Sequence, residues 1–165
     1  MLLKNNFFKN PDSVVEYAKT LDYHKAKDYQ NWPGVRTENM HIIDNTFFAN
    51  VMLDILKPKY GINVRFNNSY LHFHKIRPGD TAKVSFHKDE DFDMAAVIYL
   101  SKDVDIDNGT TLFNKDGNKQ VVVSNHYNSM ILNNAKTLHG ATKMKFDTNR
   151  LTLVAFFSDI KVAKE

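Results

Sequence analysis

The hydrophobic period of this 165-residue chain changes partway along, and that change restricts the folds open to it. Up to about residue 60 the apolar residues recur at helical spacing. From Ile62 onward the period is two, in short runs separated by turn signals. Asn10, Pro11 and Asp12 form a helix start with Pro11 at the first helical position, and Val14, Tyr17, Ala18 and Leu21 follow at i, i+3, i+4, i+7. Asp44 or Asn45 can cap a second helix, whose stripe of Phe47, Phe48, Val51, Met52, Ile55 and Leu56 is expected to end at Lys57-Pro58. Two helices are therefore expected before any strand. Candidate strands are Tyr70 to Ile76, Ala82 to Phe86, Ala95 to Ser101, Gln120 to Val123, Ser129 to Leu132 and Leu151 to Ser158. The chain reads as mainly β (α+β): a sandwich or barrel with the early helices packed on one outer face. No repeat or linker divides it, so 1–165 is expected to be a single domain, with 1–60 mainly helical support and 61–160 the β core.

Composition excludes several chemistries. Without cysteine there is no disulfide, thiolate nucleophile, zinc-thiolate site or iron-sulfur cluster, and a reducing, cytoplasmic compartment is expected. The net charge of +3 is scattered and only four of the 22 basic residues are arginines, so nucleic acid is not an expected partner. No apolar run approaches the ~20 residues of a membrane helix. Met1 to Phe8 lacks the sustained apolar stretch of a signal peptide, so neither membrane insertion nor export is expected.

Alternation along a strand sorts side chains onto two faces. In Thr81 to Asp89, Ala82, Val84 and Phe86 share one face, and Lys83, Ser85, His87 and Asp89 the other. In Arg150 to Ser158, Leu151, Leu153, Ala155 and Phe157 share a face, and Arg150 and Thr152 begin the opposite one. A barrel with a ligand cavity can turn such polar faces inward. His87 and Asp89, two apart, can grip one metal ion, and His139, 139 − 89 = 50 residues later, is the leading candidate for a third ligand. Two imidazoles and a carboxylate without thiolate suit iron(II) and leave adjacent coordination positions open. Arg150 follows His139 by eleven residues, with Thr152 on its strand face. A guanidinium fork with a neighbouring hydroxyl makes a dicarboxylate anchor.

The ordered set His87-Lys88-Asp89, His139 and Arg150-Leu151-Thr152 resembles the signature of the iron(II)- and 2-oxoglutarate-dependent dioxygenases, which share a double-stranded β-helix, or jelly-roll, core. Val97-Ile98-Tyr99-Leu100-Ser101-Lys102-Asp103 and Asn108-Gly109-Thr110-Thr111-Leu112-Phe113 are similar to segments of the prolyl-hydroxylase-like branch. The resemblance covers about Ile76 to Phe157. It implies that His87, Asp89 and His139 bind Fe(II), that Arg150 holds the remote carboxylate of 2-oxoglutarate, and that Thr152 and Tyr99 assist Arg150. It further implies hydroxylation by O2 coupled to decarboxylation of 2-oxoglutarate to succinate, with ascorbate as a supporting reductant. The substrate, a protein prolyl residue, an amino acid or another small metabolite, is not legible, and neither is the oligomeric state. One departure is Arg77, which stands ten residues before His87 where that branch often carries a tyrosine.

Other readings remain open at this level. A non-catalytic jelly-roll module would keep the fold without the reaction. A nucleic-acid demethylase would typically carry a second arginine six residues after the anchor, where this chain has Phe156. His72 and His74 form a second HxH pair but lack a glutamate at matching spacing, and are read as ordinary strand residues. Trp32-Pro33-Gly34-Val35-Arg36 is a turn signal suited to a lid or pocket wall.

Overall fold

A computed structural model describes residues 1–28, 30–84, 86–103 and 106–163, apart from the side chains of Lys119 and Gln120. The chain runs β1 (Leu2–Lys4), α1 (Pro11–Lys19), β2 (His24–Lys25), β3 (Val35–Arg36), α2 (Met40–Ile43), α3 (Asn45–Tyr60), β4 (Val64–Ile76), β5 (Met94–Tyr99), β6 (Thr110–Phe113), β7 (Lys119–Val123), β8 (Met130–Asn134), β9 (His139–Ala141) and β10 (Arg150–Val162). Both expected helices start as their caps dictate. Asn10 Oδ1 accepts from Ser13 N at 3.3 Å with Pro11 opening α1, and Asp44 Oδ1 accepts from Phe47 N at 2.9 Å to open α3. Unlike the expectation, α3 runs through Pro58 to Tyr60. A proline this near the end removes only one intrahelical bond, and Gly61, at φ 82°, closes the turn by donating to the Lys57 carbonyl at 2.9 Å.

The strands pair antiparallel in two sheets. The larger has the order β1-β8-β5-β10-β4-β3-β2 and the smaller β7-β6-β9. This is the jelly-roll arrangement expected, with one correction to the helices-first order: β1, β2 and β3 precede α3 and extend the large sheet. They escape notice because strands of two or three residues carry no readable alternation. Ala82 to Phe86 is not a strand, and Ser85 lies outside the described residues. Among its described residues the backbone pairing is confined to isolated bridges, Thr81 with Lys145 and His87 with His139. Without a sheet to cover it, its apolar face is only partly covered: Phe86 packs on Phe113 with ring centres 4.4 Å apart, whereas Val84 is 40% exposed.

The large sheet has two faces with different work. Leu71 and Phe73 of β4, Ala96 and Ile98 of β5, Met130 and Leu132 of β8, and Leu153, Ala155 and Phe157 of β10 pack against Phe48, Val51, Met52, Ile55 and Leu56 of α3. Burying each of the larger of these side chains contributes roughly 1.5–3 kcal/mol, so this layer is the main stabilising core. On the opposite face Tyr99 and Ile131 join Leu112 and Val123 of the small sheet in a separate cluster. The same face carries Arg150, Thr152, His72 and His74, because alternation puts them opposite the core residues on β10 and β4. The space between the sheets is therefore part apolar and part ionisable. Among the described residues no helix is long and apolar enough to cross a membrane.

Candidate active site

His87, Asp89 and His139 come together although the segment bearing the first two is not a strand. His87 N donates to the His139 carbonyl at 2.8 Å, His139 N donates back at 2.9 Å, and Asp89 N donates to the Ala135 carbonyl at 2.9 Å. These backbone bonds stand in for a ladder and fix both side chains against β9. One donor atom from each of the three lies within 4.8 Å of the others. Asp89 Oδ1 is 3.5 Å from His87 Nε2 and Oδ2 is 3.2 Å from His139 Nε2. The His139 ring N bonded to the Thr137 carbonyl at 2.6 Å is Nδ1, which must donate because a carbonyl can only accept. That fixes the tautomer and leaves the Nε2 lone pair facing Asp89.

The electrostatics follow from the packing. Burial pulls both imidazoles toward the neutral form. For His139 the Asp89 carboxylate and the Thr137 carbonyl outweigh it and hold the pKa above 6.5, whereas for His87 burial wins, aided by repulsion from His139 and Arg36. The His87 side chain is 48% exposed, against 16% for Asp89 and 11% for His139, so the cluster is reached from the His87 side.

Further inside, one row of paired residues crosses four strands: Tyr99 of β5 opposite Thr152 of β10, Thr152 opposite His74 of β4, and His74 opposite Arg36 of β3. Arg150 is 6% exposed, its guanidinium 5.6 Å from the Tyr99 ring centre, and Tyr99 is fully buried with its hydroxyl 2.6 Å from Thr110 Oγ1. Burial raises the Tyr99 pKa against the opposing pull of Arg150, so the phenol keeps its proton. Arg150 Nε and Thr152 Oγ1 are both buried without a hydrogen-bond partner. The guanidinium also bonds Tyr99, but buried donors are normally all satisfied, and a buried charge without a counter-ion is costly. An anion bound between them would supply the missing acceptors, and a divalent cation among the three donors would likewise use Asp89 Oδ2, which is buried without a well-formed hydrogen bond. The residues present therefore fit both groups.

Arg77, by contrast, sits at an exposed turn beside Asp80. A groove of about 680 Å³ lined by Asp12, Lys75, Leu100 and Arg150, among others, includes none of the three donors.

His74 and Arg36 are the site residues that reading the sequence did not assign. His74 Nε2 donates to the Pro33 carbonyl at 2.6 Å and ties the 32–36 turn to β4. Gly34 makes this approach feasible. It has φ +72°, and a Cβ there would meet the Lys75 carbonyl oxygen at 2.1 Å. Burial, then the fields of Arg36 and Arg150, hold His74 well below 6.5, and burial chiefly lowers His72. Below pH 6.5 the unfolded chain thus binds protons at these two positions that the folded one refuses, so their contribution to stability falls as pH falls, while His139, held above 6.5, contributes in the opposite sense. The slope is up to about 1.4 kcal/mol per pH unit for each such group. Urea unfolding at pH 7.5 and 5.5 should show this loss, and His74→Phe, although less stable at pH 7.5, should lose less on acidification. An unchanged pH slope in the variant would refute neutral burial of His74.

No family model matches the chain, and no curated protein matches it. Solved structures do resemble it. A Pseudomonas putida prolyl-4-hydroxylase aligns over 94% of this chain and 90% of its own at 14% identity, with a TM-score of 0.62. A prolyl hydroxylase from Trichoplax adhaerens, in complex with a peptide fragment of the hypoxia inducible factor oxygen degradation domain, aligns over 96% and 83% at 10% identity, with a TM-score of 0.72. The non-heme alpha ketoglutarate dependent epimerase SnoN from nogalamycin biosynthesis aligns over 99% and 80% at 14% identity, with a TM-score of 0.71.

Proposed function

We propose that this chain, whose fold is that of the Fe(II)- and 2-oxoglutarate-dependent oxygenases, is itself a 2-oxoglutarate-dependent dioxygenase acting as a hydroxylase, with residues 1–165 forming one catalytic domain. The observation that carries the proposal is the pairing of two sites on one interior: three convergent metal donors, and a buried arginine and threonine whose Nε and Oγ1 atoms have no hydrogen-bond partner.

In this reading His87, Asp89 and His139 hold Fe(II). Asp89 supplies the negative charge, and the Thr137 carbonyl keeps His139 in the tautomer that offers Nε2. Arg150 takes the distal carboxylate of 2-oxoglutarate, Thr152 donates to it from Oγ1, and Tyr99 keeps the guanidinium in place from its ring face. Full burial of Thr152 and Tyr99 excludes water from that end, which strengthens the charge-assisted bonds. Such a centre supplies oxidation of a C–H bond by O2 coupled to conversion of 2-oxoglutarate to succinate and CO2. The substrate, a peptide like that bound by the Trichoplax enzyme or a small molecule, enters from the exposed His87 side.

The test is succinate formation. Incubated aerobically with Fe(II), ascorbate and 2-oxoglutarate, the protein should form succinate slowly even without substrate, and a chelator should stop it. A folded protein that binds Mn(II) yet yields no succinate above a metal-only control would favour the non-catalytic module instead.

A further inference from the structure

The interior holds a second arginine that the proposed chemistry does not use. Arg36 lies on β3, opposite His74, which is itself opposite Thr152. Two strand spacings of ~4.8 Å put its backbone about 10 Å from that of Thr152. Its side chain shares the sheet face of His74, and its charge is felt at His72, His74, His87 and Asp89. Its Nε is buried without a hydrogen-bond partner, and among the described residues no carboxylate lies within ion-pair distance of it. The guanidinium lies over the Trp32 ring at 4.7 Å and near the Phe156 ring at 5.9 Å. Phe156 touches Phe92 at 5.0 Å, and Phe92 touches Tyr70 at 5.8 Å, so the charge is set into an aromatic wall.

Aromatic faces hold a guanidinium by its plane and leave its N–H edge free for a planar, bidentate acceptor. Asp89, the carboxylate whose field reaches Arg36, is committed to the metal in the reading above, and 2-oxoglutarate is committed to Arg150. Neither of these groups uses the Arg36 Nε, which has no hydrogen-bond partner. Burial lowers the Arg36 pKa to about 10, opposed by Asp89, which leaves it charged at neutral pH.

We propose that Arg36 is the binding residue for a carboxylate on the substrate, so that this site takes an amphipathic carboxylic acid whose charge lies on Arg36 and whose apolar body runs along Trp32 and Phe156. This rests on the reading of His87, Asp89 and His139 as the metal centre. It accounts for the turn at 32–36, which brings Trp32 and Arg36 to the cavity together, and it favours a small acid over an internal residue of a peptide, which has no free carboxylate.

Trp32 is the only tryptophan of the chain, so its fluorescence reports on the cation stacked against it. Phenylacetate and its uncharged isostere phenylacetamide are titrated into the protein carrying Mn(II) and 2-oxoglutarate, which does not turn over. The expected result is a saturable change with phenylacetate and binding at least about tenfold weaker with the amide. Arg36→Met should abolish the preference and Arg36→Lys should keep part of it, with Mn(II) affinity, measured by calorimetry, preserved in both. A flat titration with phenylacetate, or a preference that survives in Arg36→Met, overturns the proposal. So does loss of Mn(II) affinity in Arg36→Met with the preference retained, which would make Arg36 a counter-ion of Asp89. If Mn(II) fails to bind the wild-type protein at all, the metal-centre reading falls, and the same titration on the metal-free protein still decides whether Arg36 selects carboxylates.

Discussion

Asp89→Ala is expected to weaken Mn(II) or Fe(II) binding by more than about 100-fold and to abolish succinate formation, with circular dichroism unchanged. The expectation rests on charge as well as geometry. Asp89 provides the only carboxylate of the cluster, its two oxygens 3.5 and 3.2 Å from the histidine Nε2 atoms. Without it, two neutral imidazoles remain, one of them half-exposed. Loss of residues that merely orient a ligand costs 10- to 100-fold in comparable sites, so loss of a charged ligand sets a higher floor. The backbone should survive, because Asp89 is anchored by its N–H to Ala135 and not by its side chain. The Asp89 carboxylate also holds His139 above 6.5 against burial, so in the variant the His139 pKa should fall, a shift that NMR titration of the metal-free protein would detect. Metal binding and turnover equal to wild type would remove the triad from the proposal.

Arg150→Met is expected to separate stability from cosubstrate binding. The buried guanidinium is bonded by Tyr99 but leaves its Nε unpaired and has no carboxylate counter-ion among the described residues, and replacing such a charge with an apolar chain of similar length relieves a desolvation cost. The melting temperature without ligand should stay level or rise. Cosubstrate affinity should collapse, since truncating one partner of a buried charge pair costs about 2–5 kcal/mol, roughly 30- to 5,000-fold. Thermal melts with and without 2-oxoglutarate in the presence of Mn(II) read both effects: the wild-type midpoint should rise with ligand concentration and that of the variant should not. A variant still stabilised by 2-oxoglutarate would place the distal carboxylate elsewhere. A variant that melts far below wild type would mark Arg150 as structural.

Several features of this fold were readable because they rest on local rules. The caps at Asn10 and Asp44 mark helix starts, the stripe from Phe48 to Leu56 marks the face laid on the sheet, and alternation along β10 separates Leu153, Ala155 and Phe157 from Arg150 and Thr152. The short strands β1, β2 and β3 were not readable. They are strands only because β8 and β4 lie beside them, and their own residues carry too few alternations to declare it. The segment from Thr81 to His87 shows the reverse. It alternates as a strand should, yet it finds no continuous partner and makes only isolated bridges. Its alternation nonetheless pointed to His87 and Asp89 on one side, because three backbone bonds, two to His139 of β9 and one to Ala135, hold them as a strand would.

The kinds of chemistry available were settled by residue identity alone: no thiol anywhere, an HxD pair, a distant histidine, and an arginine followed two residues later by threonine. Those constraints act through covalent order and side-chain type, which folding does not alter. Only the tertiary structure could bring His139 within coordinating range of a pair fifty residues away, and only it could set Arg36, from a two-residue strand near the start of the chain, across from His74 on the same sheet face. Long-range pairing between strands decides such meetings, and no local propensity encodes them, because the free energy that selects the register comes from burying whole faces at once.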